Sequence, residues 1–274
     1  MSNPIGKRVN ILDKGWVECV DLMPHPSSGV SGDLAIVNAA RTSFLGESKG
    51  AERDKKLLFY LLRNRHTSPF EMVEFKFRLR APLVTWWQLV RHRTFNLNLQ
   101  SGRYTPFEEN DFYVPDVWRL QSNDNKQASE GELDQAESDQ LTAKLIAHYE
   151  QGYRLYQNAL ASGVSKEMAR LFLPGFSVYY TGVIKADAHN LMHFMRLRMD
   201  DHAQHEIRVY AEAIYEEFFK PALPWTAEAF ETYIIKSAQF VLPDRQAGLH
   251  EDLPGGHMSD GFDNAMKLVD ESDG

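Results

Sequence analysis

VEFKFRLRAPLVTWWQLVRHRTFNLNLQSGRY, residues 73–104, changes its period halfway. Its first eight residues alternate, with Phe75, Phe77 and Leu79 on one side and Lys76, Arg78 and Arg80 on the other. That two-residue repeat belongs to a half-buried strand with a solvated cationic face. Pro82 then suits the first turn of a helix, where its missing N–H would have no partner anyway. The spacing predicts a helix that ends at Arg91, His92 and Arg93 and carries Gln88 and Arg91, three residues apart, on one face. Beyond it comes a polar run through Asn96, Asn98, Gln100, Ser101, Gly102 and Arg103.

Outward from this stretch, short strands alternate with longer helices. Val9 to Pro24 reads as a hairpin turning at Lys14 and Gly15. Helices are expected over 34–44 and 52–64, the second with Leu57, Leu58, Leu61 and Leu62 as its apolar stripe. Residues 121–139 are polar, nearly free of large apolar groups, and are expected to be a surface loop. A helix follows, with Leu141, Leu145, Tyr149, Gly152, Tyr156 and Leu160 along one stripe and Gly163 placed to stop it. Ser165 suits the N-cap of the next segment. Residues 175–184 read as an aromatic-rich strand, and Asp187 as the cap of one long helix from Ala188 to Lys220. From Val241 to the end, eight acidic residues stand against two basic ones, an acidic and poorly ordered tail by composition.

The 274 residues are 43% hydrophobic and 25% charged, and no apolar run approaches the roughly 20 residues that cross a bilayer. The opening MSNPIGKRVN lacks the apolar core of a signal peptide, so a cytoplasmic location with no membrane partner is expected. Cys19, the one cysteine, leaves no internal disulfide or multi-cysteine metal site and has no nearby His to activate it. It reads as a packing residue. A net charge of −8 argues against nucleic acid as a partner, yet from Arg63 to Arg103 eight basic residues stand against two acidic ones. That local excess of cations suits a phosphate-bearing ligand.

Three groups of residues could carry chemistry. HTSPFE, His66 to Glu71, offers the Ser68 hydroxyl and the Glu71 carboxylate at an ordinary Ser-Pro turn. Arg91, His92 and Arg93, followed by Ser101, Gly102 and Arg103, supply guanidinium forks that match phosphate oxygens and a glycine that lets a ligand approach the backbone. In RLRMDDHAQHEIR, His202, His205 and Glu206 have metal-ligand spacing, but Arg198 one turn earlier would repel a cation, so no metal is expected. Arg198 sits between Leu197 and Met199 and is expected to be partly buried, in need of an anionic or carbonyl partner.

The pattern Arg91-His92-Arg93, seven residues, Ser101 resembles the RHR-x7-S signature of the flavin-dependent thymidylate synthases. The likeness continues in Asn98 and in Ser101, Arg103 and Tyr104. It extends to the HTSPFE segment, to Gln88, to Ala169-Arg170 with Leu173-Pro174, and to LMHFMRLRMDDHAQHEI, in order over residues 9–235. The resemblance implies a single-domain α+β fold with a small, mostly antiparallel sheet and long helices, assembled as a homotetramer whose active sites are shared between subunits. It implies conversion of dUMP to dTMP with methylenetetrahydrofolate as one-carbon donor and NADPH as reductant through FAD. Carried over by position, Ser68, Glu71, Arg91, His92, Arg93, Asp187, His189 and His193 would contact FAD. Gln88, Arg91, Gln100, Ser101, Gly102, Arg103, Arg170 and Arg198 would hold dUMP, with Arg198 the catalytic residue, stabilising charge that develops on the uracil ring. Two positions depart from the pattern: Asn96 replaces the usual Ser, and Leu99 replaces a Glu. Rival readings are a folate- and flavin-dependent methylase of uracil in RNA and, further off, a single-strand binder stacking bases on Trp86, Trp87, Phe95 and Tyr104.

Overall fold

The alternating residues after Val73 form the central strand. The computed structural model describes residues 3–43, 45–109, 111–122 and 129–236. Its strands are β1 (Arg8–Ile11), β2 (Gly15–Met23), β3 (Glu74–Pro82), β4 (Asn96–Leu99), β5 (Arg119–Gln121), β6 (Ser129–Glu132) and β7 (Tyr179–Asp187). Five of them make one antiparallel sheet in the order β1-β2-β3-β7-β4, while β5 and β6 pair separately as a two-stranded ribbon. The helices are α1 (Gly32–Thr42), α2 (Ala51–Arg63), α3 (Leu83–Leu89), α4 (Gln135–Ala161), α5 (Lys166–Ala169), α6 (Ala188–Arg198), α7 (His205–Ile214), α8 (Lys220–Ala222) and α9 (Pro224–Phe230). The α+β architecture is the expected one.

The sheet has one dry face and one wet one. Phe75, Phe77 and Leu79 are buried on the dry face, where Phe75 meets Phe219 at 5.7 Å and Phe77 meets Phe218 at 5.5 Å. Burial of each such ring stabilises the fold by about 1.5–3 kcal/mol. On the wet face, Arg8 and Arg78 share the Glu18 carboxylate and stand over the Trp16 ring at 4.0 and 5.5 Å, and Arg80 pairs with Asp111. Cys19 is fully buried, and burial pushes its thiol up to about 12. The described residues up to Ile234 cluster as one compact unit. The acidic tail expected over 241–274 lies outside the described residues. Among the described residues, no helix is long and apolar enough to cross a membrane.

Four expectations need correction. Pro82 ends β3 instead of opening a helix, and α3 stops at Leu89, so Arg91, His92 and Arg93 lie in a turn and share no helix face with Gln88. The cause is β4, which must leave the helix to pair with β7, Asn96 opposite Lys185 and Leu99 opposite Gly182. The 188–220 helix is broken. Asp200 accepts hydrogen bonds from the His202 backbone N–H and faces its ring Nδ1 at 2.7 Å, a local turn that competes with the helix, and α7 restarts at His205. The strand expected over 175–184 runs from Tyr179 to Asp187, because its partner is β3 from Pro82 back to Glu74. The loop expected over 121–139 holds β6 and the first turn of α4, capped by the Asp134 carboxylate at the Ala136 N–H; residues 123–128 lie outside the described residues.

Candidate active site

Arg198 occupies the last position of α6, and its Nε donates to His92 Nε2 at 3.1 Å. The partner is a ring nitrogen in place of the expected anion or carbonyl. His92 is buried in the turn after α3, with Phe194 at 5.0 Å, Phe95 at 5.6 Å and His193 at 6.2 Å between ring centroids. Burial, then the charges of Arg198 and His193, brings its pKa down to about 4, so the ring is neutral near pH 7. Burial, then nearby Arg91, also pulls the Arg198 guanidinium below its ordinary range. Among the described residues no carboxylate lies within ion-pairing distance of Arg91, Arg93 or Arg198, and the Nη groups of Arg198 have no partner. Two crowded cations without a counter-ion define a place for an anionic or electron-rich ligand.

The same helix carries the next group. Asp187 caps α6, accepting from the Asn190 backbone N–H at 2.8 Å and from its side-chain amide at 2.6 Å. Both of its oxygens are thus engaged. His189 and His193 follow one turn apart, and His189 Nδ1 stands 3.6 Å from Glu71, on the 3₁₀ turn Ser68–Met72 that also exposes Ser68. Burial, then Arg196 and His189, holds the His193 pKa below its usual value. His189 and His193 thus stand on the helix that also carries Arg198, with Glu71 beside the first and the His92 ring 6.2 Å from the second.

A second cluster forms around Gly102. A Cβ there would lie 2.6 Å from the Phe107 ring, and Arg170 reaches to 3.5 Å of the same point, so only glycine lets these segments meet. Ser101 Oγ accepts from the Arg103 N–H at 3.3 Å, and Arg103 pairs with Glu167 at 2.8 Å. Arg170 is half-buried beside Tyr180, whose hydroxyl pKa is raised by burial against the opposing charge of Arg170. Gln100 binds the Thr181 backbone from both ends, its N–H donating at 2.8 Å and its Oε1 accepting at 3.3 Å. Leu99 closes over Gly182, where a Cβ would meet its Cδ2 at 2.6 Å and Trp86 at 2.7 Å. It is a packing residue in this chain. Among the described residues, no hydrogen bond or ion pair joins this cluster to Arg91, His92 or Arg198.

Gln88, on α3, reaches residues whose role the sequence did not suggest. Its amide donates to Gln204 at 3.5 Å, and Gln204 donates to buried Glu206 at 2.9 Å. Glu206 pairs with Arg119 of β5 and accepts from the Tyr113 hydroxyl at 3.3 Å. Gln204, Glu206, Arg119 and Tyr113 line a cavity of about 350 Å³ with Trp118 and His205. The metal-ligand spacing of His202, His205 and Glu206 dissolves because His202 lies in the turn before α7, and among the described residues no three His, Cys, Asp or Glu could hold a metal ion. The signal for Glu206 was its place in an amphipathic stripe, where a carboxylate must find a cation.

Residues 29–225 match a family described as "Thymidylate synthase complementing protein". A "Flavin-dependent thymidylate synthase" of Thermus thermophilus is 44% identical over 230 residues, covering 84% of this chain and 80% of the relative. One of Dictyostelium discoideum is 41% identical over 232 residues, covering 84% and 75%. Among solved structures, a UMP/dUMP methylase, PolB from Streptomyces cacaoi, bound with 5-Br dUMP, superposes with a TM-score of 0.72 at 32% identity, covering 83% of this chain and 99% of that one. The same methylase bound with 5-Br UMP gives 0.70 at 33%, covering 81% and 96%.

Proposed function

The chain belongs to the flavin-dependent thymidylate synthase family, and from that premise we propose that its site methylates dUMP to dTMP, with methylenetetrahydrofolate as one-carbon donor and NADPH as reductant through bound FAD. The observation that carries this reading is the unpaired couple Arg91 and Arg198 beside a neutral His92. Uracil C5 is a poor nucleophile. Its ring can be activated by a thiolate added at C6 or by polarising N3 and the neighbouring carbonyl. Cys19 is buried with its thiol pushed up to about 12, which leaves the second route. Arg198 is the catalytic residue: its free Nη groups stabilise negative charge as it develops at N3 and oxygen.

Substrate binding falls to Gln88, Arg91, Gln100, Ser101, Gly102, Arg103 and Arg170, with the guanidiniums matching phosphate oxygens in pairs. Ser101 serves as a binding group, since its hydroxyl already accepts from the Arg103 N–H. The groups along α6 fit a flavin dinucleotide. Arg91 and Arg93 offer cations without carboxylate partners to its phosphates, and Ser68, Glu71, His189 and His193 offer hydrogen bonds, with Asp187 setting the start of α6. A bound flavin supplies the reducing equivalents that turn the transferred carbon into a methyl group.

Among the described residues no hydrogen bond or ion pair joins the two clusters, and exposed Trp87, Met168, Leu171, Phe172 and Phe176 lie on the segments that carry Gln88 and Arg170. Both features support a homotetramer whose sites are completed between subunits. An enzyme acting on free dUMP, folate and NADPH suits the cytoplasm. Purified protein with these three substrates and added FAD is expected to form dTMP; no product under these conditions would reject the proposal. Arg198→Ala is expected to lower kcat roughly 10²–10³-fold while flavin stays bound. Running UMP and a uracil-containing RNA beside dUMP separates a preference for the deoxynucleotide from the activity of the solved relatives on UMP and from methylation of RNA.

A further inference from the structure

Building on the reading of Arg198 above, we infer that His92 is a positioning residue for it: the buried ring accepts the Arg198 Nε–H at 3.1 Å and so fixes which way the remaining N–H groups face. A guanidinium at the end of a helix has four rotatable bonds behind it and no preferred direction in solvent. Here its Nε–H is tied to a ring that cannot turn easily. His92 is 7% exposed, its backbone N–H is held by the Leu89 carbonyl and its carbonyl by the Phe95 N–H. Phe95 and Phe194 flank the ring at 5.6 and 5.0 Å. An acceptor at Nε2 requires the neutral ring with its proton on Nδ1.

The choice of imidazole has a chemical consequence. A carboxylate in the same place would orient Arg198 equally well but would cancel the charge that uracil must feel. A protonated imidazole would have no lone pair to offer and would repel the guanidinium. A buried neutral ring orients the cation and leaves its full charge available. In this role His92 acts through Arg198.

The test compares His92→Leu, which removes the acceptor, with His92→Gln, whose amide oxygen reaches about as far as Nε2. Each is assayed with saturating dUMP, methylenetetrahydrofolate, NADPH and FAD, and each is checked for flavin content by absorbance. His92→Leu is expected to lower kcat about 100-fold, the scale of a misplacement near 1 Å, with flavin retained and KM for dUMP changed much less. His92→Gln is expected to recover most of that loss. In an Arg198→Ala background, His92→Leu should cost nothing further, because a residue that acts only through Arg198 has nothing left to position. Wild-type turnover in His92→Leu overturns the inference, as does loss of flavin together with turnover, or an equal further loss in the Arg198→Ala background. Should His92→Leu fail to fold, the Gln variant decides: near-normal kcat supports the positioning role, and a 100-fold loss refutes it. If Arg198→Ala alone keeps full turnover, the reading of Arg198 fails first, and that result is distinct from the others.

Discussion

His92 ties the stability of the fold to pH. Its pKa is about 4 in the folded protein and near 6.5 in an unfolded chain, so between those values the unfolded state binds more protons. Stability therefore falls as pH drops through that window and is fully present above it. The pKa values of His193 and His205 are also lowered, by burial first in each case, and act in the same direction. We predict that the thermal midpoint declines steadily from pH 7 to pH 4.5, and that His92→Gln makes the slope shallower; an unchanged slope would show that His92 is not the group being titrated. At this scale the sequence is informative about types and spacings: Arg91, His92, Arg93 and Ser101 stand out by their residue types and the seven-residue gap alone. The contact between His92 and Arg198 does not, because 106 residues separate them and nothing local encodes their meeting.

Among the elements, α7 and the β5–β6 ribbon are linked by a single buried carboxylate. Glu206 takes Arg119 from the ribbon, the Tyr113 hydroxyl and the Gln204 amide, and its pKa is lowered despite the opposing effect of burial. Removing it leaves Arg119, whose side chain is 24% exposed, without a counter-charge. Glu206→Ala should destabilise the protein by about 3–5 kcal/mol, read as a fall in the urea midpoint, and should also raise KM for dUMP by freeing Gln204 from Gln88. A midpoint within error of the parent would mean the ribbon is held otherwise. The elements that the sequence concealed are those without an apolar rhythm. All of β6 is exposed, so no buried face marks it, and β4 reads as a polar run although Asn96-Leu97-Asn98-Leu99 alternates. The break between α6 and α7 was signalled by Asp200 and Asp201, whose side chains favour turns over helix interiors. That break is what leaves Arg198 at a helix C-terminus, where a cation is favoured.

For the whole molecule, the separation of Arg198 from the Gly102 cluster makes a prediction about assembly. Arg198→Ala and Arg103→Ala chains should each be strongly impaired alone and regain dTMP formation well above either when co-expressed, because some sites in a mixed oligomer combine two intact halves. No recovery would place both clusters in one chain's site. The antiparallel sheet and its apolar face were legible from residues 73–80 and from the hairpin before them, since each buries a face with a fixed period. Assembly was not legible from periodicity, because an exposed Phe176 or Leu171 has the same pattern whether solvent or another subunit covers it. The state of Cys19 bears on how such an assembly can be measured. A thiol that is fully buried and protonated at neutral pH will ignore maleimides and other thiol reagents, so the native protein is already a blank background for site-directed labelling. One surface substitution such as Ile146→Cys, on the exposed side of the 27-residue α4, would carry the only probe and turn subunit arrangement into a distance measurement.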